Sequence, residues 1–211
     1  MTTAMDTMAL ARAERADLAD LLVTLEPAQW NAPSLCTQWR VRDVVAHVFS
    51  YDTLSSVALV RRFVAGRLNG DRVNALGVAA YADDSTDELL ALVKNHLQPR
   101  GLPAGFGGRI ALTDGLIHHQ DIRRALGIPR DVPTDRLRAA LQFAPKAPPI
   151  KAAQRIRGLR LTATDVDWTT GNGPPVEGTG EALLMALGGR PAALPELSGR
   201  GVQTLAERIA T

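Results

Sequence analysis

Asp114-Gly-Leu-Ile-His118-His119-Gln-Asp121 lies within a segment of the chain that is bounded by glycines. Apolar residues recur in this segment at steps of three and four, which is typical of an amphipathic helix: Ile110, Leu112, Leu116, Ile117, Ile122 and Leu126. On a helix, Asp114 and His118 lie one above the other on a single face, and Asp121 follows about one turn later. The segment therefore predicts a core helix that carries potential metal ligands.

The same spacing predicts further helices along the first two thirds of the chain. Three of them are expected at residues 8–25, 86–97 and 134–143. A longer one is expected to begin at about residues 38–42 and to end between residues 63 and 67, while residues 69–81 are predicted to be loop or short helix. Amphipathic helices joined by modest connections pack as a bundle, and facing helices build sites in its core. We therefore expect a helical bundle in which the ligands can meet.

The spacing of the apolar residues changes after the proline-rich stretch Ala144-Pro-Lys-Ala-Pro148-Pro149. Leu159, Leu161 and Ala163 alternate with polar residues, which predicts a strand, and helices are expected at residues 179–187 and 197–209. We therefore predict two domains, a helical bundle at residues 1–145 and a small C-terminal α/β domain at residues 146–211.

The composition argues against several classes of protein. The 211 residues carry a formal net charge of +2, and the charges are dispersed, so no nucleic-acid-binding patch is expected. No run of about 18 apolar residues predicts a membrane span, the N-terminus lacks the apolar segment of a signal peptide, and a single cysteine cannot form an internal disulfide. These features favour a cytoplasmic location.

Two ligands on one helix do not complete a catalytic metal site, which usually takes three protein ligands and leaves a position for water or substrate. His47 lies in the middle of the second predicted helix and is a candidate for the third ligand beside Asp114 and His118. Alternatively, His47 is a buried core histidine, and Asp114 and His118 are only hydrogen-bonded to each other and bind no metal. His119 points to another face of the helix and is expected to be a neighbour of the site.

Three other residues have both a functional and a structural interpretation. Asp121 either orients a ligand imidazole or pairs with an arginine, and Cys36 is expected to be a packing thiol rather than a nucleophile. Arg190 is a candidate catalytic residue that holds a substrate carboxylate, although an arginine near the end of a helix is also favoured by the helix dipole.

Several motifs resemble those of the mycothiol-dependent maleylpyruvate isomerase family, within the DinB-like metal-binding helical bundles. The first motif is Trp30-x-x-Pro33-Ser34-x-Cys36-x-x-Trp39-x-Val41-Arg42-Asp43-Val44-Val45-Ala46-His47-Val48. The stretch from Asp114 to Asp121 resembles the second motif, and Leu161-x-x-x-Asp165-x-Asp167-Trp168 resembles part of the C-terminal domain of many members. This chain has Asp114 where the family usually has glutamate, and Arg40 where it has a small capping residue.

The resemblance implies a mainly α fold, namely a DinB-like four-helix bundle with a small C-terminal α/β domain. It implies a divalent metal, zinc by preference, held by His47, Asp114 and His118, and it implies mycothiol as a cosubstrate. For its named enzyme, the family implies isomerisation of maleylpyruvate to fumarylpyruvate. We therefore expect a thiol-dependent isomerase or S-transferase that acts on a small electrophilic substrate, as a monomer or homodimer. The alternative is a non-catalytic or degenerate metal-binding bundle that serves as a stress-associated or interaction module.

Overall fold

The structure, a computed structural model, describes residues 6–210, apart from the side chain of residue 148. The helices are α1 (Thr7–Thr24), α2 (Pro27–Trp30), α3 (Val41–Phe49), α4 (Ser56–Ala65), α5 (Gly70–Ala79), α6 (Thr86–Asn95), α7 (Arg109–Leu126), α8 (Thr134–Phe143), α9 (Ala152–Arg155), α10 (Gly180–Leu187) and α11 (Val202–Ile209). The strands are β1 (Arg160–Ala163), β2 (Thr169–Gly171) and β3 (Pro175–Gly178). In this described part of the chain, no helix is both long and apolar enough to cross a membrane. Residues 1–5 and 211, which belong to the predicted domains, lie outside the part of the chain that the structure describes.

Helices α1, α3, α6 and α7 form a four-helix bundle in which α1 and α3 each pack against both α6 and α7. The core between them is filled by side chains that are almost fully buried, including Leu18, Leu22, Val44, Phe49 and Leu89. Burial of such side chains stabilises each helix far more than its own propensity does. The prediction of a mainly α fold built on a helical bundle is confirmed.

The predicted length of the second helix is wrong, because the structure contains two helices there, α3 and α4, with a break after Phe49. Asp52 lies in the break and forms two hydrogen bonds of 2.8 and 3.0 Å with the guanidinium of Arg15 on α1. The Ser55 hydroxyl then caps α4 by accepting a hydrogen bond from the Ala58 amide. Apolar periodicity does not reveal an ion pair with another helix, so the break is not visible from spacing alone.

The chain divides into two compact units, one ending at Arg130 and the other beginning at Asp131. In the second unit, β1 pairs antiparallel with β2 and parallel with β3, and α10 packs against β1 and β3. Helix α8 packs against α10, and a Cβ added at Gly180 would lie 3.0 Å from both Leu137 and Leu141. This packing groups α8 with the second unit, whereas the proline-rich stretch predicts a boundary after residue 145.

Candidate metal centre

Helices α3 and α7 bring together the three residues that the sequence singles out as ligands. His47 comes from α3, and Asp114 and His118 come from α7. Asp114 Oδ1 lies 3.8 Å from His47 Nε2 and 3.5 Å from His118 Nε2. The two imidazole rings are 4.8 Å apart between centroids and nearly perpendicular. Two nitrogen donors and one oxygen donor therefore converge on one point of the bundle.

These separations suit metal ligands better than they suit hydrogen bonds. Donors that bind zinc at about 2.0–2.1 Å in tetrahedral geometry lie ~3.3 Å from one another. The measured 3.5 and 3.8 Å are close to this spacing, whereas hydrogen bonds between nitrogen and oxygen cluster near 2.9–3.0 Å. One candidate donor atom from each residue lies within 4.8 Å of the others. The donor set therefore fits a divalent cation and leaves a coordination position for a ligand.

The electrostatics of Asp114 and His118 also favour a cation between them. Burial alone would raise the pKa of Asp114, but the nearby His118 and His47 imidazoles hold it well below its usual range. Burial would likewise lower the pKa of His118, but Asp114, Asp121 and Cys36 raise it well above its usual value. Positive charge is thus strongly preferred at this point, and a divalent cation can replace the proton.

Asp121 orients the His118 imidazole. Its Oδ2 lies 2.9 Å from His118 Nδ1, on the opposite side of the ring from the nitrogen that faces Asp114. A carboxylate that accepts the Nδ1 proton fixes the tautomer in which Nε2 has a free lone pair for a metal. Of the two interpretations that the sequence leaves open for Asp121, the structure supports the orienting one.

The loop before α3 holds Cys36 against the same carboxylate. Cys36 Sγ lies 3.1 Å from Asp121 Oδ2 and 3.7 Å from His118 Nδ1, and the Leu35 amide donates to the Asp121 carbonyl. The ring of Trp39 lies 4.7 Å from that of His47 between centroids. Cys36 is therefore part of the polar network behind His118 rather than a thiol that only packs. Sequence reasoning missed this because the contact joins residues 85 positions apart.

His119 belongs to a separate buried network, as its position on the helix predicts. Its Nδ1 lies 2.8 Å from Glu14 Oε1, and its Nε2 accepts a hydrogen bond from Arg123 Nε. Arg130 forms two 2.7 Å hydrogen bonds with the Glu14 carboxylate. Burial alone would raise the pKa of Glu14, but these hydrogen bonds hold it well below its ordinary value. This network ties α1 to α7 and so supports the helix that carries the ligands.

Arg190, the predicted substrate contact, lies in the second unit. Its guanidinium donates to the Gly188 carbonyl just after the end of α10. Burial, and then the charge of Arg190, lower the pKa of Arg155. The catalytic role of Arg190 stays a prediction.

Replacing Asp121 with asparagine is expected to weaken zinc binding by about 10- to 100-fold, because asparagine is a poorer acceptor for the His118 Nδ1 proton. Competition with a chelator of known zinc affinity measures this change. Asp87→Asn, an exposed change on α6, serves as the control and should leave the affinity unaltered. Equal affinities in the two variants would mean that Asp121 does not orient His118 for a metal.

Comparison with known proteins supports the resemblance noted in the motifs. Residues 11–100 match the family model described as the mycothiol maleylpyruvate isomerase N-terminal domain, whereas no curated protein matches the chain significantly. The crystal structure of a histidine-to-alanine mutant of the mycothiol-dependent maleylpyruvate isomerase is similar, with a TM-score of 0.61 and 18% identity over 92% of this chain and 91% of that one. A second crystal structure of that isomerase has a TM-score of 0.54 and 16% identity over the same shares. Residues 11–100 thus match the mycothiol maleylpyruvate isomerase N-terminal domain over somewhat less than half of the chain, and the chain as a whole has the fold of that isomerase.

Proposed function

We propose that this protein is a mycothiol-dependent isomerase or S-transferase that acts on a small electrophilic substrate. The observation that carries the proposal is the convergence of His47 Nε2 and His118 Nε2 on Asp114 Oδ1. Support for the thiol and for a substrate comes from the family of residues 11–100 and from the solved relative, which is a mycothiol-dependent maleylpyruvate isomerase. We propose zinc as the ion, because two imidazoles and a carboxylate are common ligands of catalytic zinc.

A divalent metal bound by these residues would supply positive charge that lowers the pKa of a coordinated thiol and so makes it a nucleophile near neutral pH. The protein's own residues prepare that position. Asp121 holds the Nδ1 proton of His118, so that Nε2 faces the site. Trp39 packs beside the His47 ring and reduces its freedom to rotate. The ligand atoms are therefore oriented before any ligand arrives.

The chemistry of such a thiol is balanced in both proposed reactions. The thiolate adds to a carbon–carbon double bond conjugated to a carbonyl, so that a sulfur–carbon bond forms and the electron pair moves onto the carbonyl as an enolate. In an isomerase, the carbon–carbon single bond rotates, and the enolate then expels the same thiolate, so that the thiol is regenerated. In a transferase, the enolate takes a proton from water, and the thiol remains on the product as an S-conjugate.

The proposal is tested by incubating the purified, zinc-supplemented protein with maleylpyruvate in the presence and absence of mycothiol. We expect conversion to fumarylpyruvate that requires the thiol and is abolished by stripping the metal and restored by adding it back. Mass spectrometry of the products distinguishes an isomerase from a transferase, because only a transferase accumulates the S-conjugate. A folded, zinc-loaded protein that neither isomerises maleylpyruvate nor conjugates mycothiol to it would contradict the proposal and favour a non-catalytic metal-binding bundle.

A further inference from the structure

Arg62 on α4 is a half-buried cation that lies against the neutral side chains of Ser50 and Tyr51. Its NH1 donates to the Ser50 hydroxyl at 3.1 Å, and its guanidinium carbon lies 5.1 Å from the centroid of the Tyr51 ring. Among residues 6–210, no aspartate or glutamate forms an ion pair with it. A partly buried guanidinium without a carboxylate partner suits the bidentate binding of a carboxylate from a ligand.

The surroundings leave space for this guanidinium. Gly77 on α5 faces it, and a Cβ at that position would lie 2.9 Å from Arg62 NH1 and 2.8 Å from the Ser50 hydroxyl. Real side chains essentially never approach so closely. Glycine at position 77 therefore permits the arginine to lie against Ser50 and over Tyr51.

Asn74 brings a second donor to the same tyrosine. The Tyr51 hydroxyl donates a 2.6 Å hydrogen bond to Asn74 Oδ1. With Oδ1 used as the acceptor, the Asn74 amide group has no hydrogen-bond partner for its Nδ2 donors among the described residues. Arg62 and Asn74 thus both bring hydrogen-bond donors to Tyr51, and no acidic side chain is bound to either of them in the part of the chain that the structure describes.

Tyr51 connects these donors to the metal-ligand residues. The edge of its ring packs against His47, with 6.2 Å between the ring centroids. Tyr51 therefore contacts His47 through its ring and Asn74 through its hydroxyl.

We propose that Arg62 and Asn74, which both contact Tyr51, form an anion subsite that binds a carboxylate of the electrophilic substrate beside His47. The inference rests on the proposed function and adds the residues that bind the acidic group of its substrate. A carboxylate bound by Arg62 fixes one end of the substrate, so that its reactive carbon is presented on the side of Tyr51 where the metal-ligand residues lie.

The subsite is tested by calorimetric titration of the zinc-supplemented protein with succinate, a dicarboxylate that does not react with thiols, and with its uncharged dimethyl ester. In Arg62→Met, we expect succinate to bind about 10- to 100-fold more weakly than in wild type, because a charged hydrogen-bonded pair is lost. Arg62→Lys should recover part of the loss, since it restores the charge without the planar fork. Arg61→Met, an exposed change one position away on α4, should bind succinate as wild type does.

Two further readouts separate a subsite from a structural support. Arg62→Met should leave the zinc affinity unchanged, and in a turnover assay it should raise the KM for maleylpyruvate more than it lowers kcat. Equal succinate binding by Arg62→Met and Arg61→Met, or no preference of the wild type for succinate over its ester, would overturn the inference. Succinate binding is measured without turnover, so the two proposals can fail separately. A lack of thiol-dependent turnover would contradict the proposed function alone. Turnover together with unaltered succinate binding in Arg62→Met would contradict the subsite alone.

Discussion

The His47→Ala protein is expected to bind zinc more than about 100-fold more weakly than wild type and to lose thiol-dependent turnover. The loss exceeds the 10- to 100-fold effect typical of residues that only orient a ligand, because a donor itself is removed. His47 is also the only contribution of α3 to the donor set, so the remaining pair, Asp114 and His118, lies on a single helix. Competition with a chelator gives the affinity, and the turnover assay gives the second readout.

His96→Ala is the matched control for this variant, because it also removes an imidazole from the bundle. His96 follows the end of α6, and its Nδ1 lies 2.7 Å from the Leu92 carbonyl, so it is engaged locally. We expect this control to keep the zinc affinity and the turnover of wild type. An equal loss in both histidine variants would show that the effect comes from destabilisation and not from the removal of a metal ligand.

The second large effect is expected on stability, from Asp52→Ala. Asp52 and Arg15 form an ion pair with 0% and 1% side-chain exposure, and the Asp52 carboxylate also accepts a 2.8 Å hydrogen bond from the Arg100 amide. Alanine leaves the Arg15 guanidinium buried with the His96 carbonyl as its remaining hydrogen-bond acceptor in the described structure. Loss of one partner from a buried pair typically costs about 3–5 kcal/mol in the free energy of unfolding. Chemical denaturation measures the change.

Asp43→Ala provides a comparison with a more exposed ion pair. Asp43 pairs with Arg40, whose side chain is 48% exposed, and it also accepts the Arg40 amide hydrogen bond at the start of α3. We expect a cost of about 1 kcal/mol, which combines a weak surface pair with the loss of a helix cap. If Asp52→Ala proved no more destabilising than Asp43→Ala, the buried pair would not be what holds the break between α3 and α4 against α1.

Much of the fold can be predicted from the sequence because most helices carry a clear apolar spacing. Helix α8 is observed at the predicted residues 134–143, and α7 ends just before Gly127, whose φ of 66° is the left-handed conformation that favours glycine after a helix end. Apolar spacing does not show the break between α3 and α4, where Asp52 forms an ion pair with Arg15 on another helix. The grouping of α8 with the second unit depends likewise on packing against α10, which no local signal shows.

The candidate site is predictable only where its residues share a helix. Asp114 and His118 are four positions apart on α7, so their common face follows from helical geometry. His47 is a candidate ligand from its place in a predicted helix, but spacing does not show that α3 faces α7, and only the resemblance of its motif implies that His47 completes the donor set. Arg62 lies on α4, which the sequence pattern predicts as a continuation of α3. Its place beside Tyr51 therefore appears only in the structure.

Elemental analysis of the purified protein tests the central claim, a metal centre formed by His47, Asp114 and His118, most directly. We expect about one equivalent of a divalent metal per chain in wild type, from the single donor set that these residues form. The Asp114→Ala/His118→Ala double variant removes two of the three donors and should retain less than about a tenth of that content. Equal metal content in the wild type and the folded double variant would contradict the assignment of this site.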